Sequence, residues 1–313
     1  MSNLFKRKFI MKKSMIALAA MALLGSGAAM AASGGSSNTA NVAVGTSNHA
    51  LFGGGNAGLK FENSLLGFID IAKGPVNGSN TAIASKGQGA IMTGADAGAP
   101  VSIDIAQVWN ASATQGTSKF MINSVRQVNT FFLAPQFGGL VIGQVADASG
   151  TPLAIGSGVY FGEWAPRAAG TPPADSTNLN MASNSRTVWY AGDNPTTTMP
   201  TLTNATYNVI GIQGVGTAAD NLPTAPKLYG GTLTANYGGG SGTLAGSITN
   251  GTNTVNFAGT TIGSTGKFGN GTGGVGVPGT IEGQFYNNAS ALAGIYKGGT
   301  AASNVAFGGS RSN

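Results

Sequence analysis

Short apolar–polar alternations separated by glycine and asparagine turns fill the last third of this 313-residue chain, and a period of two is satisfied by strands. Leu233, Ala235 and Tyr237 alternate with Thr232, Thr234 and Asn236 before the turn Gly238-Gly239-Gly240. Leu244, Gly246 and Ile248 come next, followed by Asn250-Gly251, a strong hairpin dipeptide. Val255 and Phe257, then Ile281, Gly283 and Phe285, then Leu292, Gly294 and Tyr296, then Val305 and Phe307 continue the pattern. Thr187–Ala191 and Thr206–Ile212 add two runs upstream. Eight or nine short meandering strands close most simply into an up-and-down barrel, which leaves no exposed edge. Inward glycines suit a tight barrel corner. A barrel spanning a membrane would need longer strands with a lipid-facing apolar band, and here the outward positions are Thr, Asn, Ser and Gly.

The part before about residue 185 has a different texture. Strand-like pieces at Asn41–Val44, Phe68–Ala72, Val101–Ile105, Ser124–Val128, Leu140–Val145 and Val159–Trp164 are separated by longer Gly/Asn/Ala loops. Ser33–Thr39 reads as a flexible lead-in, and a short helical turn is expected near Asn63–Phe68. Pro166, Pro172 and Pro173 mark a linker or long loop. The expectation is an all-β chain: an N-terminal β-rich ligand-binding domain over 32–175 and a C-terminal eight-stranded antiparallel barrel over 176–313.

Residues 1–31 read as a cleaved signal peptide. Lys6, Arg7, Lys8, Lys12 and Lys13 precede the apolar stretch Met15–Leu24, and Ala29-Met30-Ala31 offers the small-x-small cleavage site. Met11 is an alternative start. Without the leader, eleven basic residues face ten acidic ones, so the high isoelectric point belongs to the leader and no nucleic-acid partner is indicated.

Composition narrows the chemistry. There are 52 glycines, no cysteine and one histidine, and only 8% of residues are charged, against roughly 25% in ordinary proteins. Disulfides, thiolate sites and a lipoprotein anchor are excluded, and an enzyme is not expected. The ten acids are scattered without calcium-loop spacing. Gly53-Gly54-Gly55-Asn56-Ala57-Gly58 matches G-x-G-x-x-G, but only a helix opening after it would give the match meaning, so a flexible loop is the expectation.

His49 stands between a strand-like run and those glycines. Imidazole is the usual axial ligand of haem iron, and apolar neighbours such as Leu51 and Phe52 supply the cleft a porphyrin needs. Leu59, Phe61, Phe131 and Phe132 are further candidate walls. The alternative is an exposed loop histidine with no role.

Two stretches carry a family resemblance. Gly279 to Tyr296, with Gly283, Phe285, Tyr286, Ala289 and Gly294, followed by Val305 to Gly309, resembles the closing strands of the transferrin-binding-protein-B type barrel. Asn287-Asn288 stands where that pattern has Gly-Pro, and its Glu is missing. Val159 to Trp164, Thr187 to Thr196 and Ala205 to Val209 resemble the approach to the barrel in hemophilin-type, Slam-dependent exported proteins of Gram-negative bacteria.

The resemblance implies export through a Slam-type outer-membrane translocon to the cell surface or medium. It also implies haem as cargo, with delivery to a TonB-dependent receptor. A hemophore is therefore expected; the alternative is a surface or secreted protein, adhesin-like or binding a host protein, without cofactor. Sequencing of secreted material should begin at or near Ala32, with no lipid attached; material retaining Met1 or Met11 would contradict the leader.

Overall fold

The computed structural model describes residues 31–72, 85–86, 89–96, 100, 102–129, 136–147, 149–170, 178–214, 228–270 and 279–312. Leader residues 1–30, together with Phe131, Phe132, Pro172 and Pro173, lie outside the described residues. The chain is nearly all β; the described residues contain one 3-10 turn, Ala301–Ser303, and no α-helix.

The central layer is an eight-stranded antiparallel sheet. In spatial order it contains β1 (Ser33–Ser36), β11 (Thr187–Gly192), β10 (Val159–Ala165), β9 (Gly139–Val145), β8 (Ser118–Gln127), β7 (Asp104–Gln115), β6 (Gly89–Thr93) and β5 (Ser85–Lys86). Every residue of β9, β10 and β11 is buried, because both faces of the sheet are covered. Such strands read as continuous apolar runs instead of alternations. On one face lies a small sheet of β2 (Val42–Thr46), β3 (Ala57–Phe61) and β4 (Ile69–Asp70). Leu59, Phe61 and Ile71 of that layer pack on Val125, Ile142 and Trp164 of the central sheet.

The other face carries the barrel. It runs through β12 (Leu202–Ile212), β13 (Leu228–Gly238), β14 (Ser241–Thr249), β16 (Thr260–Ile262), β17 (Lys267–Gly269), β18 (Thr280–Tyr286), β19 (Ala291–Lys297) and β20 (Val305–Arg311), which returns to β12 and closes the ring. The short β15 (Thr254–Asn256) pairs with the far end of β14. Side chains fill the interior. Phe268 meets Phe285 edge-on at 5.3 Å, and Phe257 meets Phe307 at 5.1 Å, geometries that aromatic rings favour. Gly283 and Gly294 face each other across β18 and β19. A methyl at Gly283 would strike the Phe268 ring, and one at Gly294 the Phe307 ring, so these inward glycines make room for the aromatic core.

Several expectations are corrected. Thr187–Ala191, read as a barrel strand, lies in β11 and pairs with β10 and β1 in the central sheet, so the barrel begins with β12. Ser33–Ser36 is no flexible lead-in but a strand registered against Trp189–Gly192. The segment Asn63–Phe68 forms bends and no helix. Strand β3 follows directly on the glycine-rich loop, so that loop opens a strand, which excludes the dinucleotide reading. The long β7–β8 hairpin, turning at Gly116 with φ +57°, also exceeds its expected pieces.

Three contacts fasten the barrel to the central sheet. Phe161 of β10 lies between Gly143 of β9 and Gly308 of β20, and a methyl at either glycine would collide with its ring. The Tyr286 hydroxyl, fully buried in β18, donates to the Ser33 carbonyl at 2.9 Å, and burial pushes its pKa well up. Arg186 donates to Glu163 at 2.5 Å and to the carbonyls of Asn304, at 2.9 Å, and Ala301 on the β19–β20 connection. Glu163 also accepts from the Gly214 amide beyond β12 at 2.9 Å. Both charged groups are buried, and removing one partner of such a pair typically costs about 3–5 kcal/mol. Gly308→Val should lower stability by about 1–3 kcal/mol through overpacking against Phe161; an unchanged urea midpoint would show that the layers separate freely there.

Candidate functional site

The only histidine lies on the loop joining β2 to β3, and the structure gives that loop a definite course. Residues 48–52 run along the edge of β4 that β3 leaves open. The Asn48 and His49 amides donate to the Phe68 carbonyl at 3.0 and 2.9 Å, and the Asp70 amide donates to the Phe52 carbonyl at 2.7 Å. Asn48 Oδ1 accepts from the Phe68 amide at 2.9 Å. A strand edge that would otherwise be open is thus covered by loop backbone.

Within the loop, His49 Nδ1 accepts from the amides of Leu51 and Phe52 at 3.1 and 3.2 Å. The Gly53 amide closes the turn onto the His49 carbonyl at 2.8 Å. A methyl at Gly53 would lie 2.6 Å from that carbonyl oxygen, so only glycine permits the close return. The His49 and Phe52 rings pack at 5.0 Å between centroids. Far from being an exposed loop residue, His49 is 3% exposed. Its neighbours Leu51 and Phe52 are part-exposed. The connection between β3 and β4, tied to the same loop through Phe68, adds Leu65, which is 82% exposed. Leu59 and Phe61, expected as cleft walls, are instead fully buried between the two sheets.

This arrangement bears directly on iron binding. A neutral imidazole that accepts at Nδ1 carries its proton on Nε2. A haem-ligating histidine normally uses Nε2 and donates from Nδ1 to a neighbouring acceptor. As folded here, the imidazole braces its own loop, and its tautomer is the reverse of the one that an iron–Nε2 bond requires.

Beneath the loop lie two buried carboxylates that the sequence reading did not single out. Asp70 Oδ2 accepts from Ser47 Oγ at 3.1 Å and from Asn56 Nδ2 at 2.8 Å. Asp193 accepts from the amides of Ala57 and Gly158. Burial raises the Asp193 pKa, with a further upward push from Asp70, while its amide hydrogen bonds oppose the shift. Burial likewise raises the Tyr160 hydroxyl, helped by Asp193 and Asp70. Single scattered acids give no sequence signal for this grouping; β4, β10 and the end of β11 bring it together.

Among the described residues, the barrel interior is filled by its own side chains. Tyr207, Leu233, Phe257, Phe285 and Phe307 are all fully buried within it. The Tyr207 hydroxyl, pushed up to about 12 by burial, donates to the Ala289 carbonyl at 2.6 Å. Gly53→Ala should lower stability by about 1–3 kcal/mol, as a change at a backbone position that excludes Cβ does; an unchanged urea midpoint would mean that the loop does not need its close turn. Residues 197–311, which contain the barrel from just ahead of β12 to the end of β20, match the family model described as the HphA C-terminal domain, and over this stretch the chain is similar to hemophilin.

Proposed function

We propose that this protein is a secreted haem carrier of the hemophilin kind, taking its cargo on the N-terminal half and not inside the barrel. The observation that carries the reading is the match of residues 197–311 to the HphA C-terminal domain. The filled barrel interior then leaves the cargo to the N-terminal layers. There the loops at the end of the small sheet hold the chain's sole imidazole together with Leu51, Phe52 and Leu65. Haem would supply an iron with an open axial position and a flat apolar face. The protein's part is to shield that face and to present a ligand.

His49 is the proposed ligand, and the structure defines what its use demands. Nδ1 must become the protonated nitrogen, which releases the Leu51 and Phe52 amides, at a cost of about 1 kcal/mol per hydrogen bond. Residues 48–53 would hold the group through His49 once those two amides are released. Such a site suits a non-enzymatic carrier which passes haem to a TonB-dependent receptor. Export follows the Slam-type outer-membrane route that the barrel resemblance implies.

Haemin titration of the mature protein tests both parts. The expected result is a Soret band saturating at one equivalent, with quenching of the buried tryptophans Trp164 and Trp189; no band would overturn the carrier reading and favour a protein-binding role. His49→Asn places Oδ1 where Nδ1 now accepts, keeping the loop's hydrogen bonds while removing the imidazole. Its Soret band should be lost or shifted with the far-ultraviolet circular dichroism unchanged. An unaltered band and affinity in that variant would eliminate His49 as the ligand.

A further inference from the structure

Asp193 is 5% exposed, and its hydrogen-bond partners are backbone amides, not cations. Such a buried carboxylate is costly without an opposite charge. The strand register shows where one can arise. In β1, Ser33 lies opposite Gly192 and Gly34 opposite Ala191, so continuing by one residue sets Ala32 opposite Asp193. Ala32 packs against the core that Trp189 and Ala191 share with the small sheet. Its backbone nitrogen donates to Thr46 Oγ1 at 3.0 Å. Thr46 in turn pairs with Ala57, whose amide holds the Asp193 carboxylate. The register and the Thr46–Ala57 pair therefore bring Ala32 and Asp193 to one corner of the molecule.

We propose that removal of the leader completes this corner: the new α-ammonium of Ala32 forms an ion pair with Asp193 and locks β1 between β11 and the small sheet. In the cleavage, water adds to the Ala31 carbonyl and the Ala31–Ala32 bond breaks. Ala31 departs with the leader as a carboxylate, and the freed nitrogen gains protons from water and solvent. A peptide nitrogen has one hydrogen to donate, and Thr46 Oγ1 takes it; an ammonium has three and a charge. The other titratable groups facing the corner are Asp70 from β4, also acidic, and Tyr160 from β10. Farther along β1, Glu282 of β18 is held by Lys297 at 3.0 Å. Uncleaved chain thus has an unneutralised acid under β1, and cleaved chain has a clamp. The proposal rests on the leader reading and not on the cargo.

The test compares mature protein beginning at Ala32 with protein carrying Gly-Ser ahead of Ala32, each with and without Asp193→Asn. At pH 7 the authentic terminus should melt about 2–4 °C higher. Pairing raises the α-amine pKa above its free value of about 8, so the advantage is present below that pH as long as Asp193 is ionised, and is lost as pH rises through the raised value. The advantage should also vanish in the Asp193→Asn pair. Equal midpoints at pH 7, or a difference that persists into strongly alkaline solution, would overturn the proposal. If Asp193→Asn fails to fold, the pH series on the native sequence decides alone.

Discussion

The burial of the central sheet on both faces is the constraint on which the rest of the molecule depends. Strands β9, β10 and β11 have no solvent side, so their side chains and glycine gaps are matched to neighbours within the sheet and in the adjoining layers. Phe161 shows how tight the match is: its ring occupies space left by Gly143 beside it and Gly308 across the interface. In this chain glycine serves packing as much as turning, because a Cβ at these positions would push the layers apart. Burial on this scale also forces polar groups to find partners within the interface. Arg186 and Glu163 do so by spanning the layers, and Tyr286 does so by reaching back to β1.

Layering also separates roles. The described side chains inside the barrel pack into an aromatic core, and its outer wall divides into a buried part under the central sheet and a polar exposed part, as at Thr232, Asn236 and Thr243. The small sheet on the opposite face carries the only histidine, with Leu51 and Phe52 beside it on the loop. His49, Asp70 and Asp193 are linked through short hydrogen-bonded paths: the Asp70 amide to the Phe52 carbonyl, the Asn56 side chain to the Asp70 carboxylate, and the Ala57 amide to the Asp193 carboxylate. The cargo proposal and the maturation proposal concern neighbouring parts of one layer, although each stands on its own observations.

The barrel was legible in the sequence, and so was the all-β class. Inward residues such as Leu233, Ala235 and Tyr237 alternate with polar ones because the barrel wall has one wet and one dry side over β13 and β14. Turns announced themselves by glycine and asparagine, whose backbones tolerate the required conformations, as at Gly251 with φ +88°. The strand β1 was not legible: Ser-Gly-Gly-Ser has no apolar period, and its structure comes from pairing with β11 and from the Tyr286 hydrogen bond. Strand β3 was hidden by the glycines ahead of it.

By itself the sequence determined where strands and turns lie in the barrel half and that the chain had one imidazole to offer. Tertiary structure decided which sheet each strand joined, and Thr187–Gly192 went to the central sheet because periodicity records that a face is buried, not what buries it. It also decided what His49 does in the folded chain. A histidine's role depends on which nitrogen meets a donor or an acceptor, and here that is settled by the amides of Leu51 and Phe52 two and three residues along a loop turned back on itself by Gly53.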